Sequence, residues 1–288
     1  MDLLEAYHNL FLIYYSEEPN FNTCDIEIAL EQVELLITVA GLYSSIVVTR
    51  PYIISCLFSF GRELSRAIAR DPPRWVKVAI LIASPTIFTE GVVHIVGKAP
   101  SWPWSSTKRE ELGAKVENFL DKKADELEAL RKGMERTLFL TSIRINGKEV
   151  HLDKDNESTR NTWFVVQIWR DWYSRSLSQA AHSTNKSQSM AKIYRSIAKG
   201  GDTYLPLEEV LDLLAAFRHT KDHDTNFDVR EVAMDLRRMK VFASQIVKPL
   251  CINNSMLDVD AEGIGHFTCV EVKDHEWAQL ETLGLDHA

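Results

Sequence analysis

The first hundred residues constrain the fold most strongly, because they are dense in helix-forming apolar residues and almost bare of reactive side chains. Three blocks, 3–15, 26–46 and 61–97, have this character. Apolar residues recur in them every three to four positions, which is the spacing of amphipathic helices. The sequence therefore predicts a helical interaction module, and we expect the chain to bind and not to be an enzyme.

Signals at the ends and faces of these helices predict which residues are capped and which are buried. Asp25 is suited to cap the second helix, and Pro51 is suited to the first turn of a third. Four bulky residues on the apolar faces are predicted to be buried: Phe11, Leu36, Trp75 and Phe88.

Composition and charge narrow the classes of partner. Of the 288 residues, 45% are hydrophobic and 26% are charged, which is typical of a globular protein and not of a disordered chain. The net charge of -8 repels nucleic acid and anionic membranes. We therefore expect protein partners, with no nucleic acid and no membrane.

The four cysteines indicate the compartment. Cys24, Cys56, Cys251 and Cys269 are widely spaced and form no CxxC motif. Such sparse usage suits a reducing environment, and no signal peptide is evident at the acidic N-terminus. We expect an intracellular protein of the cytoplasm or nucleus.

The chain beyond residue 100 is also predicted to be mostly helical. Periodicity stops at 100–106, a linker candidate, and resumes at 107–110, a capping-box pattern that predicts one helix to about residue 138. Alternation around Asn146-Gly147 predicts a β-hairpin near 138–152. Further helices are predicted at 162–177, 206–217 and 229–250, and a last strand at 267–272.

Two histidines provide an alternative function. His219 and His223 stand four residues apart, so on a helix both rings could face one metal ion. A metal-dependent hydrolase with an unrecognised site is therefore an alternative interpretation. The surrounding HTKDHD stretch is typical of a solvated loop, however, and lacks the glutamate of zinc hydrolase motifs. We expect no metal site here and no cofactor.

An acidic segment partly matches a calcium-binding loop. Asp258, Asp260 and Glu262 have the spacing of its first ligands. The twelfth position, which must supply a bidentate carboxylate, is Cys269, and the hydrophobic eighth position is Gly265. The pattern favours an acidic turn, and we expect neither zinc nor calcium to co-purify.

Two further groups of residues are interpreted as structural. Glu90 and His94 can pair on one helix, which indicates a hydrogen-bonded pair at the edge of the core, since no nucleophile or metal ligand accompanies them. Large aromatic residues on a later helix favour core packing over an aromatic cage or base stacking. These are Trp163, Trp169, Trp172 and Tyr173.

Several short segments resemble the C-terminal half of a fungal BTB/POZ domain and the helices after it. They are 7–15 (YHNLFLIYY), 39–43 (VAGLY), 50–51 (RP), 68–75 (IARDPPRW) and 87–97 (IFTEGVVHIVG). The resemblance implies a partial BTB/POZ-like module at 1–60 and a helical extension at 61–100. The periodic patterns described above add a mostly helical domain with the hairpin at 107–288, so the predicted fold is mainly α. No counterpart of the N-terminal BTB strands is found, so we expect a fragment, a truncated form or a shortened variant.

The resemblance and the residues together predict a protein–protein interaction module that acts as an adaptor or scaffold. The partners that the family implies are a second copy of the chain or a cullin-type ligase component. A transcription-associated regulator is a further alternative.

The missing BTB sheet leads to an expectation about the surface. Without it, one apolar face is predicted to lie exposed, so that the chain self-associates unless its C-terminal part covers that face. The candidates are the face of Ile26, Leu30, Val33 and Ile37 and the face of Leu3, Tyr7 and Leu10.

Overall fold

The computed structural model describes residues 3–152, 157–218 and 228–281 of the chain. Within these residues it has thirteen α-helices, two short 3₁₀ helices and one two-stranded hairpin. The predicted mainly α fold with a small hairpin is therefore confirmed. No helix in the described ranges is long and apolar enough to cross a membrane.

The chain divides into two compact units. The first unit comprises Met1–Asp125, Asn253–Ile264 and Thr268–Ala288, and the second comprises Glu126–Ile252 and Gly265–Phe267. The predicted linker at 100–106 lies inside the first unit. The range 107–288 contributes residues to both units.

The first unit is built from nine helical segments. They are α1 (Leu3–Tyr14), α2 (Ile26–Leu42), α3 (Ile46–Ser59), α4 (Arg62–Arg70), α5 (Pro72–Leu81), α6 (Pro85–Gly97), α7 (Ser106–Glu110), the first part of α8 (Ala114–Leu140), and α13 (Asp274–Glu281), as counted within the described ranges.

Local sequence signals explain several of these boundaries. The Asp25 carboxylate accepts hydrogen bonds from the amides of Glu27 and Ile28, so the predicted cap of α2 is confirmed. Both α5 and α6 begin with proline, whose fixed φ suits a first helical turn.

The core of the first unit centres on α2, α5 and α6. Leu36, Trp75 and Phe88 are almost fully buried there, as predicted. The α5 and α6 helices pack closely, because a Cβ atom added at Gly91 would lie 2.6 Å from Cγ2 of Val76. The prediction for Phe11 is wrong, since this residue is 54% exposed.

Three predicted element boundaries in the first unit are also wrong. Pro51 lies in the interior of α3, which begins at Ile46. The helix predicted from 107 to 138 is two helices, because Gly113 adopts a φ of +78° and ends the first. The cap of α7 is Ser105, whose hydroxyl accepts from the amide of Thr107.

The strand predicted at 267–272 does not form. Within the described residues no strand lies next to this segment. The Asn254 amide groups donate to the carbonyls of Thr268, Cys269 and Val270. The segment therefore lacks the ladder of hydrogen bonds with a neighbouring strand that defines a β-strand.

The second unit contains the remaining elements. They are the rest of α8, β1 (Arg144–Ile145), β2 (Lys148–Glu149), α9 (Glu157–Ala181), α10 (Lys186–Lys199), α11 (Leu207–Arg218), α12 (Val229–Val247) and the 3₁₀ helices Gly201–Thr203 and Lys248–Cys251.

The predicted hairpin and the three predicted helices form, although α9 is longer than 162–177, α12 ends at Val247, and α10 was not predicted. Asn146 and Gly147 both have positive φ, as a tight hairpin turn requires, and β1 pairs antiparallel with β2. On α9 the buried rings of Trp169 and Tyr173 stack at a centroid distance of 5.4 Å. Asp228 caps α12 by accepting from the amide of Arg230.

Candidate interaction surface

The helix α1 is apolar on two sides, and only one of them faces the core. Ala6, Leu10 and Ile13 are buried against the rest of the first unit. Leu4 and Phe11, on the other side of the helix, are 72% and 54% exposed. A helix this apolar therefore leaves large side chains at the surface after its core face is filled.

Four aromatic residues of α1 and the end of α2 form two ring pairs, which together we call the aromatic surface: Tyr7, Phe11, Tyr14 and Tyr43. Tyr7 and Tyr43 meet edge to face at 6.2 Å, and Phe11 meets Tyr14 at 6.4 Å. Tyr7 raises the pKa of Tyr43 through electrostatic repulsion and a hydrogen bond, and burial and Tyr14 add smaller effects in the same direction. Edge contacts and the Tyr14–Ser45 hydroxyl hydrogen bond restrict the rings before any partner arrives.

Further exposed apolar residues lie on α1, directly after it, on α2 and in the first turn of α3. Scattered apolar side chains are common on protein surfaces, but a concentration of them on neighbouring helices is typical of a binding site. They are Leu3, Leu4, Tyr15, Ile28, Leu42, Val47 and Val48.

The exposed face that the sequence predicted is mostly a different one. Ile26, Leu30, Val33 and Ile37 of α2 are all buried, so the prediction for that face is wrong. On the α1 face Leu10 is also buried, whereas Leu3 is exposed. The helical period located the helices but did not show which side of α1 packs inward.

The electrostatic character of this region is strongly acidic. The chain contains no lysine or arginine before Arg50. The acidic residues up to that point are Asp2, Glu5, Glu17, Glu18, Asp25, Glu27, Glu31 and Glu34.

Some of this negative charge is compensated and some is not. Glu27 and Glu34 pair with Arg74. Glu17, Glu18 and Glu31 are exposed, and none of them pairs with a cation in the described part of the chain. The segment after α1 and the exposed side of α2 therefore present uncompensated carboxylates, which favour a cationic partner.

The pair Glu90–His94 is the centre of a buried hydrogen-bond network in the first unit. Both side chains are buried, with His94 Nε2 3.1 Å from Glu90 Oε1. The same carboxylate accepts from the Ser255 hydroxyl at 2.7 Å and from the Met256 amide at 2.7 Å. Sequence reasoning found the pair but missed Ser255 and Met256, because no local pattern links residues 165 positions apart.

The segment that resembled a calcium loop is an acidic turn, as expected. Asp258 accepts from the amides of Asp260 and Ala261. Glu262 accepts from Arg66 through Nε at 3.0 Å and Nη2 at 2.8 Å, and this guanidinium lowers the pKa of the carboxyl. These carboxylates already have protein partners.

The histidine pair His219 and His223 lies outside the described residues. Within the described ranges, no group of three or more His, Cys, Asp or Glu side chains is placed to hold a metal ion. Comparisons with protein-family models, curated proteins and solved structures found no match to the chain.

Proposed function

We propose that this chain is a protein–protein interaction module, an adaptor or scaffold, and that it binds its partner through the aromatic surface. The observation that carries the proposal is the exposure of Phe11, Tyr14 and Tyr43, whose rings are restrained in two edge-to-face pairs. Aromatic side chains supply large contact area at low cost in conformational entropy, and they dominate the energetics of interfaces. The BTB/POZ resemblance implies the same class of function.

The partner that suits this surface presents apolar side chains flanked by lysine or arginine, as a basic amphipathic helix does. Its apolar side would cover the aromatic surface, and its cations would neutralise Glu17, Glu18 and Glu31. A second copy of the chain fits less well, because the same carboxylates would face each other across the interface. We place the encounter in the cytoplasm or nucleus, where the four free cysteines remain reduced.

A pair of model peptides tests both parts of the proposal. The probe is a synthetic amphipathic helix of leucine and lysine, and its counterpart carries glutamate at every lysine position. We expect the lysine peptide to bind the full chain in a fluorescence anisotropy titration and the glutamate peptide not to bind. The double variant Phe11→Ser/Tyr43→Ser should weaken the lysine peptide about tenfold or more.

Charge alone would also attract the lysine peptide, so a matched variant is needed. Phe242 is an exposed aromatic residue of α12 in the second unit. Phe242→Ser changes an exposed ring to a hydroxyl without touching the aromatic surface, and we expect it to bind like the natural chain. Equal binding of the natural chain and the Phe11→Ser/Tyr43→Ser variant would refute a docking role for the aromatic surface.

A further inference from the structure

A cavity of about 540 Å³ lies within the second unit, between the end of α10 and the middle of α12. Leu207, Leu236 and Val241 give it an apolar wall. Its volume falls in the range of pockets that hold small molecules, which is roughly 300–1,000 Å³. The aromatic surface belongs to the first unit, so this cavity is independent of the proposed function.

A buried ammonium group is fixed in the wall of this cavity. Lys240 is only 7% exposed, and its Nζ donates to the carbonyl of Gly201 and lies 5.1 Å from the ring centroid of Tyr204. An ammonium has three donors, and the carbonyl uses one of them. Burial lowers the pKa of Lys240, and the Asp202 carboxylate partly offsets this effect.

A second cation lies one helical turn away on the same wall. Arg237 precedes Lys240 by three residues on α12, so the two side chains share a face of the helix. Arg237 is exposed and has no hydrogen bond or ion pair with any residue in the described ranges. A guanidinium with five free donors at the mouth of a cavity is suited to a carboxylate or a phosphate.

Two consecutive glycines, Gly200 and Gly201, form the part of the cavity wall that faces these cations. Gly200 and Gly201 line the cavity with φ values of +65° and +58°, which a residue with a Cβ adopts at a cost. A Cβ added at either glycine would meet nothing within 4 Å. Open space therefore lies beside both glycines, and a ligand can approach their backbone closely.

We propose that this cavity binds a small amphipathic anion, a carboxylate or phosphate monoester attached to an apolar body. Arg237 and Lys240 hold the anionic end near Gly200 and Gly201. Leu207, Leu236 and Val241 cover the apolar body. Asp202, which also lines the cavity, removes part of the positive charge and disfavours ligands that carry several negative charges at one end.

The test is a titration of the isotope-labelled full chain with octanoate, octyl phosphate and octanol, followed by the amide resonances of Gly200 and Gly201. We expect at least one of the two anions to shift both resonances saturably, and to bind at least about tenfold more tightly than octanol. A response to octanoate alone identifies a carboxylate ligand, and a response to octyl phosphate alone identifies a phosphate monoester.

Two variants of α12 complete the test. Arg237→Gln should weaken the anion about tenfold, because it removes a charge-assisted contact. Arg230→Gln makes the same charge change at an exposed residue of α12 outside the cavity wall, and should leave affinity within about twofold. The proposal is overturned if neither anion shifts the two resonances up to about 10 mM, if octanol binds equally well, or if Arg237→Gln has no effect.

Discussion

At the scale of single residues, the carboxylate of Glu90 joins groups that are far apart in the sequence. It contacts His94 on its own helix and accepts from the Ser255 hydroxyl and the Met256 amide. All of these contacts lie inside the first unit. Glu90 therefore attaches the segment that contains Ser255 and Met256 to α6.

Replacing this carboxylate should be costly. Glu90→Ala leaves the Ser255 hydroxyl and the Met256 amide without their acceptor, so we expect the free energy of unfolding to fall by about 2–4 kcal/mol. Chemical denaturation measures this change. Glu63→Ala, which removes an exposed pair with Arg66, should leave the midpoint nearly unchanged. Equal effects of the two variants would contradict the anchoring role of Glu90.

Two phenylalanines of the first unit should respond to truncation in opposite ways. Phe88 is fully buried and lies 4.9 Å from Trp277 and 5.9 Å from Phe119 between ring centroids. We expect Phe88→Ala to lower the free energy of unfolding by roughly 3–5 kcal/mol. Phe11→Ala should cost less than about 1 kcal/mol, because its ring is already exposed. Thermal or urea denaturation of both variants measures the two losses of stability, and equal losses would contradict the prediction.

These two residues also show what the sequence could predict at this scale. Phe88 lies on a helix that is buried on nearly every side, so any assignment of its face places it in the core. On α1, apolar residues occupy two faces, so the spacing of apolar residues does not show which face is buried. The choice is made by packing partners on α2 and α3, which are distant in sequence. The aromatic surface was therefore not predictable from periodicity.

At the scale of elements, the packing of α5 on α6 depends on one residue without a side chain. Gly91→Ala would place a methyl group 2.6 Å from Val76, so we expect the variant to be destabilised by about 1–3 kcal/mol. Gly133 on α8 has open space where a Cβ would lie. Gly133→Ala should instead stabilise the helix by up to about 1 kcal/mol. Denaturation midpoints that move in the same direction would refute this difference.

Helix existence was easier to predict than helix boundaries. The capping pattern at 107–110 correctly indicated helix near this position, but Gly113 ends α7 and a second helix follows. A glycine within an apolar periodic stretch is compatible with either outcome. The strand prediction at 267–272 failed for a different reason. A strand needs a neighbouring strand to pair with, and the sequence of one segment does not show whether such a strand exists.

At the scale of the whole molecule, acid stability should depend on a buried ion pair in the first unit. Lys123 Nζ lies 2.8 Å from Glu276 Oε2, and both side chains are largely buried. Burial raises the pKa of Glu276, but hydrogen bonds and charge from Lys123 outweigh this effect, and the net pKa is lowered. A lowered carboxyl pKa gives stability that is present above the unfolded value, near 4.3, and is lost as pH falls.

We therefore expect the first unit to lose stability below about pH 4.5, in part through Glu276. Glu276→Gln should be less stable than the natural chain at pH 7, and the difference should shrink as the pH falls toward 3. Denaturation at a series of pH values gives both curves. A difference that stays constant with pH would show that the ion pair does not contribute to acid unfolding.

The division of the chain into units also sets the order in which folding can be completed during synthesis. The first unit uses both ends of the chain, and Glu90 meets Ser255 only after 165 further residues have been made. At roughly 5–20 residues per second, that interval is roughly 10–30 s. Until then the Glu90 carboxylate lacks two of its three partners, the Ser255 hydroxyl and the Met256 amide. The segment that carries Ser255 and Met256 therefore completes a unit whose earlier helices have already left the ribosome, where chaperones can bind them.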